Sequence, residues 1–305
     1  MSPALACAVL SLRDEPSLVE AVRSLLCQSE PVEVVVVNSG GGDPAARLAA
    51  VGIDVPVVGV EERLYPGAVR NIGIEITRAP FVAFLAADCL AEPGWAAGRL
   101  REHHAGAAAV ASSVGNAFSH SPSAWASLLL LHNRLLDVNI PSQRLLYGLS
   151  YDRRLFDRYG SFREDLRAGE DTEFNARLGR EANVVVAAAD VRTAHRYPTT
   201  ISAMLRDAYR RGRLQAAMVG QIERGPQGRP RSIKVAARGP RSILRSLWCI
   251  WRTSPPARAR LLRAWPLVAV GGVVYAAGAL SASWRPYDGY DAVAPSSRTS
   301  QKADG

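Results

Sequence analysis

Hydrophobic positions in the first ninety residues fall into short unbroken runs, separated by stretches of helical spacing. "ACAVLSL" (6–12), "PVEVVVVN" (31–38), "VPVVGV" (55–60) and "FVAFLA" (81–86) are apolar at nearly consecutive positions, which is how strands buried on both faces of a parallel sheet read. Between the first two runs, Leu18, Val19, Val22, Leu25 and Leu26 form one stripe across 17–28, so strand, helix and strand predict a right-handed βαβ unit.

The alternation continues. "YPGAVRNIGIEI" (65–76) carries Val69, Ile72, Ile74 and Ile76 on a helix, a further helix is expected over 95–103, and a strand over 107–114. "SAWASLLLLHNRLLD" (123–137) reads as an amphipathic helix with a wide apolar face, a mixed helix starts near Gly169, and "NVVVAAA" (183–189) supplies a late strand. After Ile201 the chain turns basic and mostly helical, broken at 225–232 and 239–240, and it ends in a polar tail. No internal repeat is present.

The formal net charge of +9 suggests nucleic acid until its distribution is considered. Residues 206–263 hold 15 basic side chains against Asp207 and Glu223, which leaves about −4 for the rest. A neutral-to-acidic body therefore carries a basic arm, and no nucleic-acid partner is expected. In "RSILRSLWCIWR" (241–252), Ile243, Leu244, Leu247, Trp248 and Trp251 stand beside Arg241, Arg245 and Arg252, the composition of an interfacial helix on anionic lipid. The uncharged run 264–284 has 21 residues, against the roughly 20 a helix needs to cross a bilayer core. Spanning, interfacial and buried readings of it stay open, and the Arg-rich N-terminal flank puts the body on the cytoplasmic side. Cys7, Cys27, Cys89 and Cys249 show no zinc-ligand spacing and are expected as reduced core residues. The N-terminus runs into strand-like sequence without the succession of a secretory signal.

In open parallel sheets ligands bind beyond the carboxyl ends of the strands, and those ends are polar here. The first strand leads to Ser11, Arg13 and Asp14, the second to "NSGGGD" (38–43), the fourth to Asp88. Three consecutive glycines permit close backbone approach to a ligand, or form an ordinary turn. Arg70, near a helix N-terminus, can meet a diphosphate. Glu170 and Asp171 open a helix, as a catalytic base would and as capping alone would also produce.

Taken in order, "VEAVRSLLCQSEPVEVVVVNSGGGD", "GAVRNIGIEITRAPFVAFLAADC" and "GEDTEFNARL" resemble the family 2 glycosyltransferases of GT-A fold, over about 4–212. The resemblance implies an α/β, mostly parallel Rossmann-like sheet flanked by helices, and a nucleotide-sugar donor. The donor base would lie near Ser11, Asn38 and Ser39, and its diphosphate near Gly67, Arg70 and Asn71. The family's Asp-x-Asp-like motif reads Ala86, Ala87, Asp88 here, so a divalent cation, Mg²⁺ or Mn²⁺, would rest on Asp88 with His195. Asn38 also stands where the family usually has Asp. Asp171 takes the position of the base and Glu170 that of its neighbour. "LLYGLSYDRRLFDRYGSF" (145–162) resembles the acceptor-side segment, with Gly148, Ser150 and Arg153 lining the pocket.

The expected organisation is a GT-A domain over 1–212, a basic amphipathic helical arm over 213–263, a transmembrane or interfacial helix over 264–284 and a polar tail over 285–305. The expected activity is inverting transfer of a sugar to a hydroxyl of a glycan or glycolipid, at the cytoplasmic face of the cell membrane and against its anionic surface. Two alternatives remain: a scaffold of the same fold with impaired catalysis, suggested by Ala86 and Asn38, and a nucleotidyltransferase, which lacks the expected Lys-bearing Gly-rich loop.

Overall fold

The computed structural model describes residues 2–133, 149–178, 185–225, 228–252 and 255–284. Strands β1 (Leu5–Leu12), β2 (Val32–Ser39), β3 (Val57–Val60) and β4 (Phe81–Ala86) coincide closely with the four apolar runs. They are joined by β5 (Cys89–Ala91), β6 (Ala109–Asn116), β7 (Ser150–Asp152) and β8 (Val185–His195) in one sheet of order β3-β2-β1-β4-β7-β6-β8-β5. β1 pairs in parallel with β2 and β4, whereas the three-residue strands β5 and β7 run antiparallel to their neighbours.

The pleat sends alternate residues of β1 to opposite faces. Leu5, Cys7 and Val9 join α1 (Leu18–Leu26) and α4 (Trp95–His104) in one core. Ala6 and Ala8 face the other, where Phe84, Tyr151, Phe156, Phe162 and Phe174 pack together with α6 (Arg154–Tyr159) and α7 (Glu170–Leu178). Helices α2 (Pro44–Ala49) and α3 (Pro66–Ile76) complete the β2–β4 crossovers. The alanines on β1 are no accident of composition. Gly73 of α3 sits so close to the sheet that a Cβ there would come within 2.5 Å of the Ala8 methyl group.

The C-terminal third is helical, as expected, and packs as a layer. α8 (Ile201–Arg224), α9 (Ser232–Ala236), α10 (Arg238–Arg252) and α11 (Pro255–Ser281) pack with α5 (Pro122–Leu131) around two further apolar clusters. α8 and α11 touch backbone to backbone: a Cβ on Gly212 or on Gly278 would lie 2.1 Å from the carbonyl oxygen of Tyr275 or Tyr209 respectively. The limits expected at 212 and 263 fall inside α8 and α11.

Candidate functional site

Asp88 lies in the turn between β4 and β5, and its position is fixed from three sides. The Ala87 N–H donates to Leu10 O at 2.9 Å, and the Arg196 N–H donates to Asp88 O at 2.9 Å. On the third side Ser24 and Gln28 of the α1 region fasten the chain just beyond it. The Ser24 Oγ accepts from the Ala91 N–H at 2.9 Å, while the Gln28 amide donates to Glu92 O at 3.1 Å and accepts from the Ala96 N–H at 3.1 Å. β5 pairs with β8 so that Cys89 stands opposite His195.

The result is a cluster of three unlike donors. His195 Nε2 is 3.6 Å from Asp88 Oδ2, the Cys89 Sγ is 3.5 Å from Asp88 Oδ1, and the ligand atoms of all three lie within 4.8 Å of one another. Burial depresses the pKa of His195, with the Asp88 carboxylate opposing the shift, so the imidazole is held in the neutral form that ligates metals. Its buried Nδ1 has no partner among the described residues. Adjacent ligands of a six-coordinate ion stand about 3 Å apart, close to the His–Asp spacing, and carboxylate and imidazole are both ligands of divalent metals. The residues present therefore fit a divalent cation.

A cavity of about 420 Å³ opens beside this cluster, within the range of small-ligand sites. Asp88, His195, Arg196 and Tyr197 form one wall, and Asp207, Arg210 and Arg211 of α8 another. Asp207 holds both arginines, at 3.1 Å for Arg210 and 2.7 Å for Arg211, while the Arg210 side chain stays 67% exposed. Tyr197 stacks on His195 with centroids 4.4 Å apart, and its hydroxyl meets His132 Nδ1 at 2.7 Å. Burial raises the Tyr197 pKa and lowers that of His132, so both stay uncharged at neutral pH.

Ser11, Asn38 and Ser39 lie together at the carboxyl ends of β1 and β2, where Ser11 pairs with Asn38 and Leu12 with Ser39. Asn38 ties the two following loops to each other. Its Oδ1 accepts from the Asp14 N–H at 3.1 Å and its Nδ2 donates to Gly41 O at 2.9 Å. A carboxylate could not make the second bond, so the loop contact to Gly41 depends on an amide at this position. Gly40, Gly41 and Gly42 all have positive φ, and at Gly42 a Cβ would stand 2.6 Å from that of Asp14. The Ser11 hydroxyl is buried without a partner among the described residues.

Arg70 and Glu170, read from separate motifs, form an ion pair, with the guanidinium 5.5 Å and 5.6 Å from the centroids of Phe84 and Phe162. Gly67 and Asn71 have internal duties. A Cβ on Gly67 would lie 2.1 Å from Arg163 O, and the buried Asn71 amide bonds Phe162 N and O and the Glu164 carboxylate. Gly169, at φ +83°, sets the start of α7. Asp171 is half-buried, and its Oδ1 accepts from the Thr172 N–H at 2.6 Å. Neither Arg70, Glu170 nor Asp171 lines the cavity beside Asp88.

The expectation that Ser150 and Arg153 line an acceptor pocket does not fit their surroundings. Ser150 is fully buried, and its hydroxyl accepts from Arg99 Nη1 at 3.1 Å and meets His103 Nε2 at 2.8 Å. Arg153 donates to Ala79 O, Ile74 O and the Thr77 Oγ1, all within 2.9 Å, and so clamps the end of α3. Gly148 lies outside the described residues. Cys27 is exposed, not a core residue, whereas Cys7, Cys89 and Cys249 are buried. Sequence reasoning also missed the α8 wall, because it read the stretch after Ile201 only as basic and mostly helical and gave Arg210 and Arg211 no place in a site. The available signal was Asp207, which pairs with them at i+3 and i+4.

Comparison with known proteins agrees with this architecture. The chain is 28% identical over 195 residues to the succinoglycan biosynthesis protein ExoU of Rhizobium meliloti (strain 1021), which covers 58% of this chain and 57% of that protein. Among solved structures it resembles the mannosyltransferase PcManGT from Pyrobaculum calidifontis, solved with GDP-Man and Mn²⁺. The TM-score is 0.60 at 16% identity, over 93% of this chain and 88% of that one. TarS 1-349 of S. aureus in complex with UDP gives a TM-score of 0.50 at 17% identity, over 92% and 90%. At such identities these structures speak for a shared fold. The model of Glycosyl transferase family 2 matches residues 8–163, a span that runs from within β1 through β7 and holds Asp88 and Arg70, and the chain belongs to that family.

Proposed function

We propose that the protein is an inverting glycosyltransferase that moves a sugar from a nucleoside-diphosphate donor to a hydroxyl of a glycan or glycolipid, at the cytoplasmic face of the cell membrane. The observation that carries this reading is that Asp88, His195, Arg210 and Arg211 line one cavity. An acid and an imidazole able to hold a cation, beside two guanidinium groups held by Asp207, suit a diphosphate, whose negative charge grows as the glycosidic bond breaks. A divalent cation held by Asp88 and His195 would supply further neutralisation of that charge.

The chain's own groups divide the remaining work. Ser11, Asn38 and Ser39 at adjacent strand ends are suited to the donor's base and sugar edges. Asp171 is the candidate base: it takes the proton of the acceptor hydroxyl as that oxygen attacks the anomeric carbon opposite the leaving diphosphate. Glu170 anchors Arg70 and thereby the start of α7. The relation to a succinoglycan biosynthesis protein and the GDP-Man and Mn²⁺ of a structural neighbour support the donor class and the ion. Family membership and the apolar helix Leu261–Ser281 support work beside a membrane.

The test uses the full chain in detergent with a panel of nucleotide sugars, with and without Mn²⁺, and measures release of nucleoside diphosphate. Asp171→Asn is expected to lower turnover at least about 10²-fold with donor affinity intact by calorimetry. A donor that binds but is never turned over, even with glycolipid extract, would leave only a scaffold. Release of pyrophosphate would mean nucleotidyl transfer.

A further inference from the structure

The two C-terminal helices each leave an apolar stripe in solvent, and each stripe lies opposite the face that packs on the protein. At about 100° per residue, Leu244, Leu247, Trp248 and Trp251 of α10 fall within an arc of about 100°, and they are 38–73% exposed. The buried Ser246, Cys249 and Ile250 lie on the other side of the same helix. Arg238, Arg241, Arg245 and Arg252 gather between the two, along one edge of the apolar stripe. Arg252 covers the Trp248 ring at 4.5 Å, and Arg258 covers Trp251 at 5.1 Å.

The pattern repeats on α11, with Leu262, Val270, Val273, Leu280 and the following Trp284 within about 80° and 42–82% exposed. Their opposite numbers Leu261, Ala264, Val268, Tyr275 and Ala279 are buried against the body. This helix is long and apolar enough to cross a bilayer, but it is not free to do so. Gly212 and Gly278 seat it directly on the backbone of α8, and α8 carries Arg206, Asp207, Arg210, Arg211 and Arg213 over the same length. A spanning α11 would draw these charges into hydrocarbon or tear the glycine contacts apart.

We propose that α10 and α11 lie lengthwise in the interface of an anionic membrane, with the apolar stripes among the acyl chains and the Arg edge on lipid phosphates, and that α11 does not cross the bilayer. The occupant of the apolar faces is a lipid surface because the arginines flanking them demand anionic partners beside an apolar one. This rests on the reading of the protein as an enzyme working beside a membrane.

The experiment takes the full chain with vesicles of phosphatidylcholine alone or with phosphatidylglycerol. Binding is expected to need the anionic lipid, to be reversed by alkaline carbonate, and to bring Trp248 and Trp251 within reach of lipids brominated near the carbonyl but not near the chain end. The variant Leu244→Ser/Trp248→Ser/Trp251→Ser, exposed at every site, should bind vesicles at least tenfold more weakly while donor turnover in detergent is unchanged. Resistance to carbonate with quenching from the bilayer centre would overturn the proposal in favour of a spanning helix. A failure to bind vesicles, with a dimer that the same variant dissolves, would assign the face to a second copy. Absence of donor turnover by the parent chain in detergent, with its vesicle binding intact, would instead sink the transferase reading and leave the membrane surface standing.

Discussion

Glu170 and Asp171 are neighbours in sequence, yet their surroundings predict opposite consequences for the same chemical change. Glu170 is 4% exposed and forms an ion pair with Arg70, which stands over Phe84 and Phe162 with 16% of its side chain exposed. Removing the carboxylate charge by Glu170→Gln strands a guanidinium among aromatic rings, and breaking a buried pair from one side typically costs about 3–5 kcal/mol. The residual exposure of Arg70 puts the expectation at the lower end, about 3 kcal/mol, or roughly 6–12 °C in Tm for a domain of this size. Asp171 is half-buried and satisfied by the adjacent Thr172 amide, so Asp171→Asn should leave Tm within about 2 °C. Thermal unfolding by circular dichroism separates the two variants, and nucleoside-diphosphate release locates the catalytic one. The double variant Arg70→Met/Glu170→Gln provides the internal check, because removing both charges should recover much of the stability that either single change loses. If Glu170→Gln melts like the parent, or if the double variant is the sum of two separate losses, the pair is not a buried structural element and the division of labour between the two acids is wrong.

Asp88→Ala should abolish any Mn²⁺ dependence of donor binding, since Ala86 and Ala87 offer no replacement carboxylate; calorimetry with and without chelator reads this, and unchanged affinity in both conditions would make Asp88 a turn residue. A pH effect on stability follows from His103, whose pKa burial lowers from 6.5 to about 4. Its Nδ1 faces Ala107 O and must carry the proton, leaving Nε2 to accept from Ser150. Because the folded pKa lies below the unfolded one, the contribution is complete above about pH 6.5 and is lost as pH falls from there to about 4, some 3 kcal/mol in all. Urea midpoints at pH 7.5, 5.5 and 4.5 should fall less steeply in His103→Gln than in the parent; parallel slopes would refute it.

The part of the fold legible in the sequence is the part that local pattern determines. β1, β2 and β4 are largely buried on both faces, so their residues are apolar with little alternation and the runs announce themselves; β3 is a half-buried edge strand that shows by its β-branched residues. β5 and β7, three residues each, are shorter than any pattern that could reveal them. The second half of β8 was hidden by Asp190 and Arg192, which point outward beside the buried Val191 and Thr193, next to an irregularity at Ser112/Ser113. Asp88 was legible because strand ends in such sheets face ligands, and the family resemblance gave it a partner in His195. The role of Ser150 was not, since its bonding partners Arg99 and His103 come from a distant helix and nothing near Ser150 in sequence signals them. α8 is the instructive failure. A helix face can be assigned only when what lies opposite is known, and α8 has two working faces: Ala203, Asp207, Arg210 and Arg211 line the cavity, while Gly212 receives α11. Packed helices lie about 8–10 Å apart, so a single layer separates the cavity proposed for the donor from the helix proposed to rest on lipid. An acceptor anchored in that surface would therefore need to reach past only one helix to meet the sugar, and the basic composition of α8 serves the cavity on one side without requiring contact with the membrane on the other.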